Sequence, residues 1–427
     1  MDKRLLLLTA LPALGAALVY CSATGDGDGE TTSTSTSGTG ASSSSSSGTG
    51  GGLTDAGGDL DSGDLDSGPT GPNMCPGAEQ SFIWIANTAE GTLSKVCTIN
   101  GEEVARYVTS PQGASGDPSR TSVNLHGDAV VTNRSPSSGP SSVTKFAGDY
   151  YDCDDRNGNN VMDTSLGPND VRAWGEDECM LWNTPFPGGG IGARATAWDG
   201  TEDPDTGLGG NVFIGAMMNK TVYKLDGDTG QILDQAVTGL GHYGGAIDNQ
   251  GNLWTIDMAC TIGVCSIERI SLNNLNDHET FPVHCGYGIS VDVKGRVWTS
   301  GLGCISRFDP LNQENVWVDV AGFNRGIAVG TELSANFVWA ANTGGDLVQV
   351  HMEDVTVVNR QPVGGSDMVG VAIDYEGYVW TVSEAANSAY KVHPTTWNVT
   401  AVPIGSGPYT YSDMTGMQLK GVIDPPR

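Results

Sequence analysis

Between about residues 80 and 400, the chain repeats a short pattern of apolar and polar positions. In each copy a run of apolar residues is followed by a turn rich in Asp and Gly, and then by a second apolar run centred on a large side chain. Apolar runs of four to eight residues with alternation are typical of β-strands, and Asp and Gly are typical of the short turns between them. The pattern therefore predicts antiparallel hairpins along most of the chain.

The aromatic residue in the second run recurs at a nearly constant interval. Successive tryptophans are 44, 41 and 41 residues apart, at Trp254, Trp298, Trp339 and Trp380. Three of them have a Gly ten residues before and an Asp six residues before, namely Asp248, Asp292 and Asp374. A fixed period of this length indicates one four-stranded blade of a β-propeller in each repeat.

Seven second strands can be counted, and they centre on Trp84, Val130, Phe213, Trp254, Trp298, Trp339 and Trp380. The sequence thus predicts an all-β fold over residues 74–427, a seven-bladed β-propeller with four-stranded antiparallel blades. The first copy lacks an inner strand, and the C-terminal segment Tyr409–Leu419 has no blade of its own. We expect this segment to supply that inner strand and close the ring, which removes open sheet edges.

The N-terminus predicts export. Lys3 and Arg4 precede an apolar run that is short for a membrane span, so residues 1–23 are interpreted as a signal peptide. Leu18–Cys21 resembles a bacterial lipobox, with Tyr20 where a small residue is usual. We favour lipidation of Cys21 and a place at the bacterial cell envelope or outer surface; the alternative is cleavage near Ala23 and secretion.

Residues 24–73 consist almost entirely of Gly, Ser, Thr and Asp, with no aromatic, Lys or Arg residue. Such a composition predicts a disordered linker. The formal net charge of −29 argues against nucleic acid and anionic lipid surfaces as partners. We therefore expect membrane contact only through the lipid, and a monomer in solution.

Cysteine parity also favours export. Of nine cysteines, eight remain when Cys21 is set aside, and even counts in exported proteins favour disulfides. They fall into four local pairs: Cys75/Cys97, Cys153/Cys179, Cys260/Cys265 and Cys285/Cys304. Zinc thiolates are the disfavoured alternative, because the chain has no Cys-x-x-Cys.

A long insertion, residues 149–192, is predicted between blades 2 and 3, stapled by Cys153/Cys179. Its oxygen-bearing side chains fit positions 1, 3, 5 and 9 of an EF-hand-type calcium loop: Asp155, Asn157, Asn159 and Asp163. Asn160 stands at the usual Gly position, and Leu166 at the acidic twelfth position. The loop predicts a structural calcium site, with the missing ligand drawn from Asp170, Glu176 or Glu178. The alternative is a polar turn without metal.

The strand frame from Trp84 onward, and the stretch Val379–Val392, resemble streptogramin (virginiamycin B) lyases and the related NHL and gluconolactonase-like propellers. The resemblance implies a site at the mouth of the ring. There the lyases place a catalytic His before the Gly of the inner strand; the corresponding residues here are Tyr243, Tyr287, Arg325 and Val369. The lyases often carry Glu three residues after the Trp; those positions here hold Asn87, Asn133, Ala216, Asp257, Gly301, Asn342 and Ser383. These departures favour binding over lyase chemistry.

Three hypotheses about function follow. The favoured one is a non-catalytic binding or interaction module at the cell envelope, which recognises a protein or a polar, carbohydrate-like ligand at the rim. Its ligand contacts would be Asn87, Asn133, Tyr243, Tyr287, Arg325 and Asn342. The enzymatic alternative is a divalent-metal lyase or lactonase in the central funnel, with His242 or His284 as base and Asp257 as metal ligand. The third is a purely structural surface protein.

Overall fold

The computed structural model describes residues 71–76, 81–135, 139–258 and 264–423. The predicted signal peptide, residues 24–70 of the predicted linker, and the cysteines Cys21 and Cys260 lie outside the described residues. Across the described ranges, none of the helices is both long enough and apolar enough to cross a lipid bilayer.

The first four sheets follow one another along the chain, and their consecutive strands pair antiparallel. The first has three strands: β1 (Phe82–Asn87), β2 (Thr92–Cys97) and β3 (Glu103–Val108). The second contains β4 (Pro118–Val123), β5 (Ala129–Asn133), β6 (Ser142–Phe146) and β7 (Met180–Pro185). The third contains β8 (Ala193–Trp198), β9 (Asn211–Ala216), β10 (Thr221–Asp226) and β11 (Ile232–Val237). The fourth contains β12 (Gly244–Ile247), β13 (Asn252–Ile256), β14 (Cys265–Ser271) and β15 (Asn274–Val283).

The remaining repeats form two sheets. One has six strands: β16 (Gly288–Val291), β17 (Val297–Asp309), β18 (Glu314–Val329), β19 (Phe337–Asn342), β20 (Asp346–His351) and β21 (Thr356–Pro362). The last has four: β22 (Met368–Ile373), β23 (Val379–Ser383), β24 (Ser388–Val392) and β25 (Val399–Pro403). Short 3-10 helices span Gly113–Gly116, Tyr150–Asp152 and Glu332–Ser334.

The described residues therefore form six sheets, and the prediction of seven separate blades is wrong. The reason is β18, a continuous strand of 16 residues. Its first part pairs with β17 and its last part with β19. The repeats of Trp298 and Trp339 consequently share one sheet. The all-β propeller with four-stranded antiparallel blades is otherwise confirmed.

A hydrogen bond between a carboxylate and an indole recurs in three repeats. The Nε1 atoms of Trp254, Trp298 and Trp380 donate to the Oδ2 atoms of Asp248, Asp292 and Asp374, at 2.8, 3.0 and 2.8 Å. The other oxygen accepts backbone amides of the turn; Oδ1 of Asp374 takes those of residues 376 and 378 at 3.0 and 2.9 Å. The recurrent Asp thus closes the turn and satisfies a buried N–H at once.

The repeats without this Asp lack the bond. Positions six residues before Trp84 and Trp339 hold other residue types. In the part of the chain that the structure describes, the indole N–H groups of these two tryptophans have no hydrogen-bond partner. All five repeat tryptophans are nonetheless almost fully buried, so their apolar packing is common to these five repeats while the polar contact is not.

The C-terminal segment closes the ring between the first two sheets. β26 (Tyr411–Ser412) pairs in parallel with β4. On its other side, the amide of Trp84 donates to the carbonyl of Met414, and the amide of Tyr409 to that of Ala86, both at 2.9 Å. The predicted closing strand is thus only two residues long.

The end of that segment is helical, not extended as expected. The helix α1 spans Met417–Ile423. Asp413, just before it, accepts the amides of Gly416 and Leu419 at 2.8 and 2.9 Å. A carboxylate that satisfies the free N–H groups of a first turn favours a helix at this position, which the strand prediction did not take into account.

Three predicted disulfides are formed: Cys75–Cys97, Cys153–Cys179 and Cys285–Cys304. Cys265 is also disulfide-bonded, and its predicted partner Cys260 lies outside the described residues. These bonds indicate an oxidising compartment.

The long insertion is placed differently from the expectation. The predicted range 149–192 includes β7, which pairs with β6, so the loop lies inside the second sheet and not between two blades. At its start, Asp152 bonds to Nε2 of His126 at 2.7 Å, in the β4–β5 turn. Because that turn lies at the far end of β4 from its first residue, the insertion lies on the rim opposite the starts of the inner strands.

The recurrent carboxylate generates a stability prediction. Asp374→Ala should lower the free energy of unfolding by about 2 kcal/mol or more, because it leaves a buried indole N–H and two turn amides without an acceptor. Urea unfolding followed by tryptophan fluorescence measures the loss. The control is Asp277→Ala, at an exposed carboxylate of β15, which should cost at most about 0.5 kcal/mol. Equal losses in the two variants would contradict the structural role of Asp374.

Candidate functional site

Four tyrosine side chains meet at the starts of the inner strands. Tyr243 and Tyr287 directly precede β12 and β16, while Tyr409 and Tyr411 come from the C-terminal segment. The hydroxyl of Tyr409 lies 3.0 Å from that of Tyr243 and 2.9 Å from that of Tyr287. The hydroxyls of Tyr287 and Tyr411 are 3.0 Å apart. The four phenols therefore form one hydrogen-bonded chain, and Tyr409 is its partly exposed member.

Two buried arginines lie against these rings. Arg120 on β4 and Arg194 on β8 are only 1% and 3% exposed. The guanidinium carbon of Arg194 is 3.9 Å from the ring centroid of Tyr243, and that of Arg120 is 4.5 Å from the centroid of Tyr411. For both arginines, Nε and Nη2 have no hydrogen-bond partner among the described residues. We call these six residues the Tyr–Arg cluster: Arg120, Arg194, Tyr243, Tyr287, Tyr409 and Tyr411.

Two further arginines lie nearer the surface and already have carboxylate partners. Arg325 is 2.8 Å from Asp367 and 3.4 Å from Glu384, and Arg134 pairs with Asp117. The guanidinium carbons of Arg134 and Arg325 lie 5.0 and 6.0 Å from the ring centroid of Tyr409. The mouth of the cluster is thus lined by paired cations, and its interior by cations without such partners.

Burial and charge separate the acidities of the phenols. Burial raises the pKa of Tyr243 to about 12 and that of Tyr287 well above the ordinary value. Burial alone would also raise the pKa of Tyr409, but the charges of Arg194 and Arg134, together with hydrogen bonds from its two phenol neighbours, lower it to about 7. Burial also raises the pKa of Tyr411 well above the ordinary value, so the cluster contains one acidic phenol beside three weakly acidic ones.

The predicted ligand-binding residues divide into two groups. The structure brings Tyr243, Tyr287 and Arg325 into one site, in which the two tyrosines are buried and Arg325 lies at the mouth. The three asparagines are buried at the ends of their strands, where each amide donates to a neighbour. The acceptors are Ser94 Oγ for Asn87 (2.7 Å), Thr109 O for Asn133 (2.9 Å) and Asn324 Oδ1 for Asn342 (2.9 Å). These amides hold strands and turns together, and they are not open to a ligand.

The residues of the enzymatic alternative are not assembled into a centre. His242 is fully buried, and its two ring nitrogens bond to the hydroxyls of Thr238 and Thr255, both at 3.0 Å. His284 stacks on Trp317 with ring centroids 4.1 Å apart. Asp257 is half-buried after β13. In the described ranges, these three residues do not form a group with metal-ligand spacing.

Among the described residues, His126, Asp128 and Asp152 on the opposite rim do have metal-ligand spacing. Their contacts are those of an ion-pair network. Both ring nitrogens of His126 face oxygen acceptors, Asp152 at 2.7 Å and the carbonyl of Pro204 at 3.0 Å. The hydrogen bond to Asp152 raises the pKa of His126 to about 9, so the ring carries both protons near neutral pH. The third member, Asp128, is already paired with Lys145 at 2.9 Å.

The predicted calcium loop folds its oxygen-bearing side chains toward one another. The amides of Asn157 and Asn159 donate to Oδ2 of Asp163 at 2.8 and 2.9 Å. Asn160 has a left-handed backbone (φ 61°), as its place in the loop predicts. Glu178, one of three candidates for the missing ligand, reaches the loop, where its carboxylate accepts the backbone amide of Asp163 at 2.8 Å.

Sequence reasoning missed four members of the cluster: Arg120, Arg194, Tyr409 and Tyr411. Strand register supplies the signal for one of them. Ala197 pairs with Phe213 as Ala246 pairs with Trp254, which places Arg194 at the position of Tyr243. Counting residues fails here, because Arg194 precedes Phe213 by 19 residues and Tyr243 precedes Trp254 by 11.

No protein-family description and no curated protein sequence matches the chain. Solved propeller structures are similar to it. A streptogramin B lyase shares 14% identity over 72% of this chain and 89% of its own, with a TM-score of 0.52. Virginiamycin B lyase from Staphylococcus aureus shares 12% over 70% and 90%, with a TM-score of 0.51. The dihydro-heme d1 dehydrogenase NirN shares 12% over 83% and 79%, with a TM-score of 0.50. At such identities the similarity shows the fold alone.

The burial of His242 generates a pH prediction. Burial lowers its pKa to about 4, so as pH falls below about 6.5 the unfolded chain binds a proton that the folded chain does not. The free energy of unfolding should therefore decrease from about pH 6.5 to 4, by a share on the order of 3 kcal/mol. Urea unfolding at several pH values measures this decrease. His242→Gln should lack this share of the pH dependence, whereas the matched control His351→Gln should keep it. An unchanged slope in His242→Gln would contradict the assignment.

Proposed function

We propose that this protein is an exported, lipid-anchored β-propeller that acts as a non-catalytic binding module at the cell envelope, with its ligand bound at the mouth of the Tyr–Arg cluster. One observation carries the proposal. Side chains at the starts of several inner strands meet there, and they are phenols and guanidinium groups. The resemblance to lyases implies a histidine at these positions. Aromatic rings with a few fixed polar groups suit the recognition of a polar ligand.

The disposition of the other candidate residues supports binding over catalysis. The lyase or lactonase alternative needs a histidine with a free nitrogen in the funnel. Both nitrogens of His242 are engaged by threonine hydroxyls, and His284 is stacked on Trp317. A purely structural role also fits poorly, because buried guanidinium groups without carboxylate partners cost folding free energy. Residues that cost stability are typical of binding sites.

The proposed compartment rests on two features. Disulfides on the first, second and fifth sheets favour an oxidising environment. The N-terminal sequence supports export, and a lipid on Cys21 would attach the propeller to a membrane through the linker. With a net charge of −29, nucleic acid is not a proposed partner; the partner is a protein or a polar, carbohydrate-like ligand.

A ligand screen tests the binding function. The purified protein should show thermal stabilisation by at least one class among neutral sugars, amino acids, organic acids and short peptides. Arg325→Gln should weaken that binding about tenfold or more, because it removes a cation from the mouth. Arg269→Gln, on β14 of the fourth sheet, is the control and should bind normally. Turnover of lactones or cyclic depsipeptides, or a ligand indifferent to Arg325→Gln, would count against the proposal.

We also propose that the insertion holds a structural calcium ion. The carboxylates of Asp155, Asp163 and Glu178 suit this ion, and the side-chain oxygens of Asn157 and Asn159 can join them if their amides rotate. Because the loop lies on the rim opposite the Tyr–Arg cluster, the ion would stabilise the insertion and take no part in ligand binding.

Calcium should raise the melting temperature of the protein. At 10 to 100 times the dissociation constant, the added stability is about 1.4 to 2.7 kcal/mol. Differential scanning calorimetry with calcium against a chelator measures it. Asp163→Asn should abolish the increase, while Asp154→Asn, an exposed carboxylate beside the loop, should keep it. An increase of the same size in Asp163→Asn would refute this site.

A further inference from the structure

The interior of the Tyr–Arg cluster has a charge problem. Arg120 and Arg194 are buried, and neither forms an ion pair with a carboxylate of the described residues. A buried cation without a counter-charge is costly, by several kcal/mol in real proteins. The groups that do surround these two arginines are the four phenols. A negative charge on one of the phenols would remove much of the cost.

Proton counting shows that the chain of phenols can lose one proton and keep all its hydrogen bonds. The four hydroxyls make three contacts with one another, Tyr243–Tyr409, Tyr287–Tyr409 and Tyr287–Tyr411. Each contact uses one proton, so three protons satisfy the chain and a fourth finds no acceptor within it. If Tyr411 donates to Tyr287, and Tyr287 and Tyr243 both donate to Tyr409, the oxygen without a proton is that of Tyr409.

The charged groups around Tyr409 agree with this assignment. Arg194 approaches from β8, Arg134 from the end of β5 and Arg325 from β18. The latter two are already paired with carboxylates, Arg134 with Asp117 and Arg325 with both Asp367 and Glu384. The positive charges that remain uncompensated belong to Arg194 and, deeper, to Arg120. The pKa of Tyr409, lowered to about 7, has the same cause.

The unused atoms of Arg194 indicate which ligand fits. Nε and Nη2 form one edge of the guanidinium group, and both lack a hydrogen-bond partner among the described residues. Two parallel N–H groups on one edge match the two oxygens of a carboxylate, which makes the contact bidentate. Among the groups around Arg194, Tyr409 is partly exposed, as are Arg134 and Arg325 beside it.

We propose that Tyr409 is the phenolate counter-ion of the inner arginines in the free protein, and that the ligand is a small molecule with a carboxylate group which replaces it. This inference rests on the proposed binding function and names the ligand class of the same site. On binding, the carboxylate brings one negative charge to Arg194 and one proton from solvent joins the oxygen of Tyr409. The charge of the cluster is unchanged, and binding takes up one proton.

The near-ultraviolet absorption of tyrosinate tests the first half. In a titration of the purified full chain from about pH 5 to 9, one tyrosine should ionise with a midpoint at about pH 7, the pKa of Tyr409. Tyr409→Phe should remove this step, and Tyr151→Phe, at a tyrosine 60% exposed, should keep it. Arg194→Gln should move the midpoint upward, which provides a second variant should Tyr409→Phe not fold. A wild-type protein without the step overturns the inference.

Acetate tests the second half, with acetamide as the neutral control. Acetate should diminish the tyrosinate signal above the midpoint and raise the midpoint by about one pH unit at ten times its dissociation constant. Acetamide should do neither. If acetate does not change the tyrosine titration, the carboxylate ligand is refuted. The binding function would still stand in that case if the ligand screen finds another ligand, such as a neutral sugar. A screen without any ligand refutes the binding function itself.

Discussion

The closure of the ring by the C-terminal segment is the constraint on which both the fold and the site depend. The segment follows the last sheet and bonds to β1 on one side and to β4 on the other, so it joins the last sheet to the first two and closes the ring. The same few residues place Tyr409 and Tyr411 beside the phenols of the fourth and fifth sheets. The cluster therefore forms only when the ring is closed, because its members come from both ends of the described chain.

The period of the tryptophans predicted the propeller because it reflects packing between neighbouring blades. The hydrogen-bonded sheets were harder to predict. Nothing in the sequence between Val316 and Asn324 interrupts a strand strongly enough to separate two blades, so β18 continues from one repeat into the next. The position of the insertion was also missed, because β7 follows a long loop and has no counterpart at the expected spacing.

The site was predictable where the repeat is regular and hidden where it is not. Tyr243 and Tyr287 lie at a fixed distance before their tryptophans, and the structure places both in the cluster. Arg194 precedes a longer hairpin connection, and an irregularity between Pro118 and Arg120 shifts the register of β4. Burial was the other unpredictable quantity. The same frame predicts that Asn87 or His242 lies near the rim, but it does not tell whether the side chain points to solvent or to its neighbours.

The total charge of the chain and the charge of the interior of the Tyr–Arg cluster have opposite signs, and they act over different distances. At physiological ionic strength, exposed charges are screened beyond about 8 Å, so the −29 of the whole chain acts mainly on large polyanions that contact much of its surface. A small molecule inside the cluster experiences its immediate neighbours, which are Arg120 and Arg194 at low effective dielectric constant. The acidic composition therefore argues against nucleic acid without arguing against a small anion. The two statements rest on different residues, the exposed carboxylates for one and the buried guanidinium groups for the other.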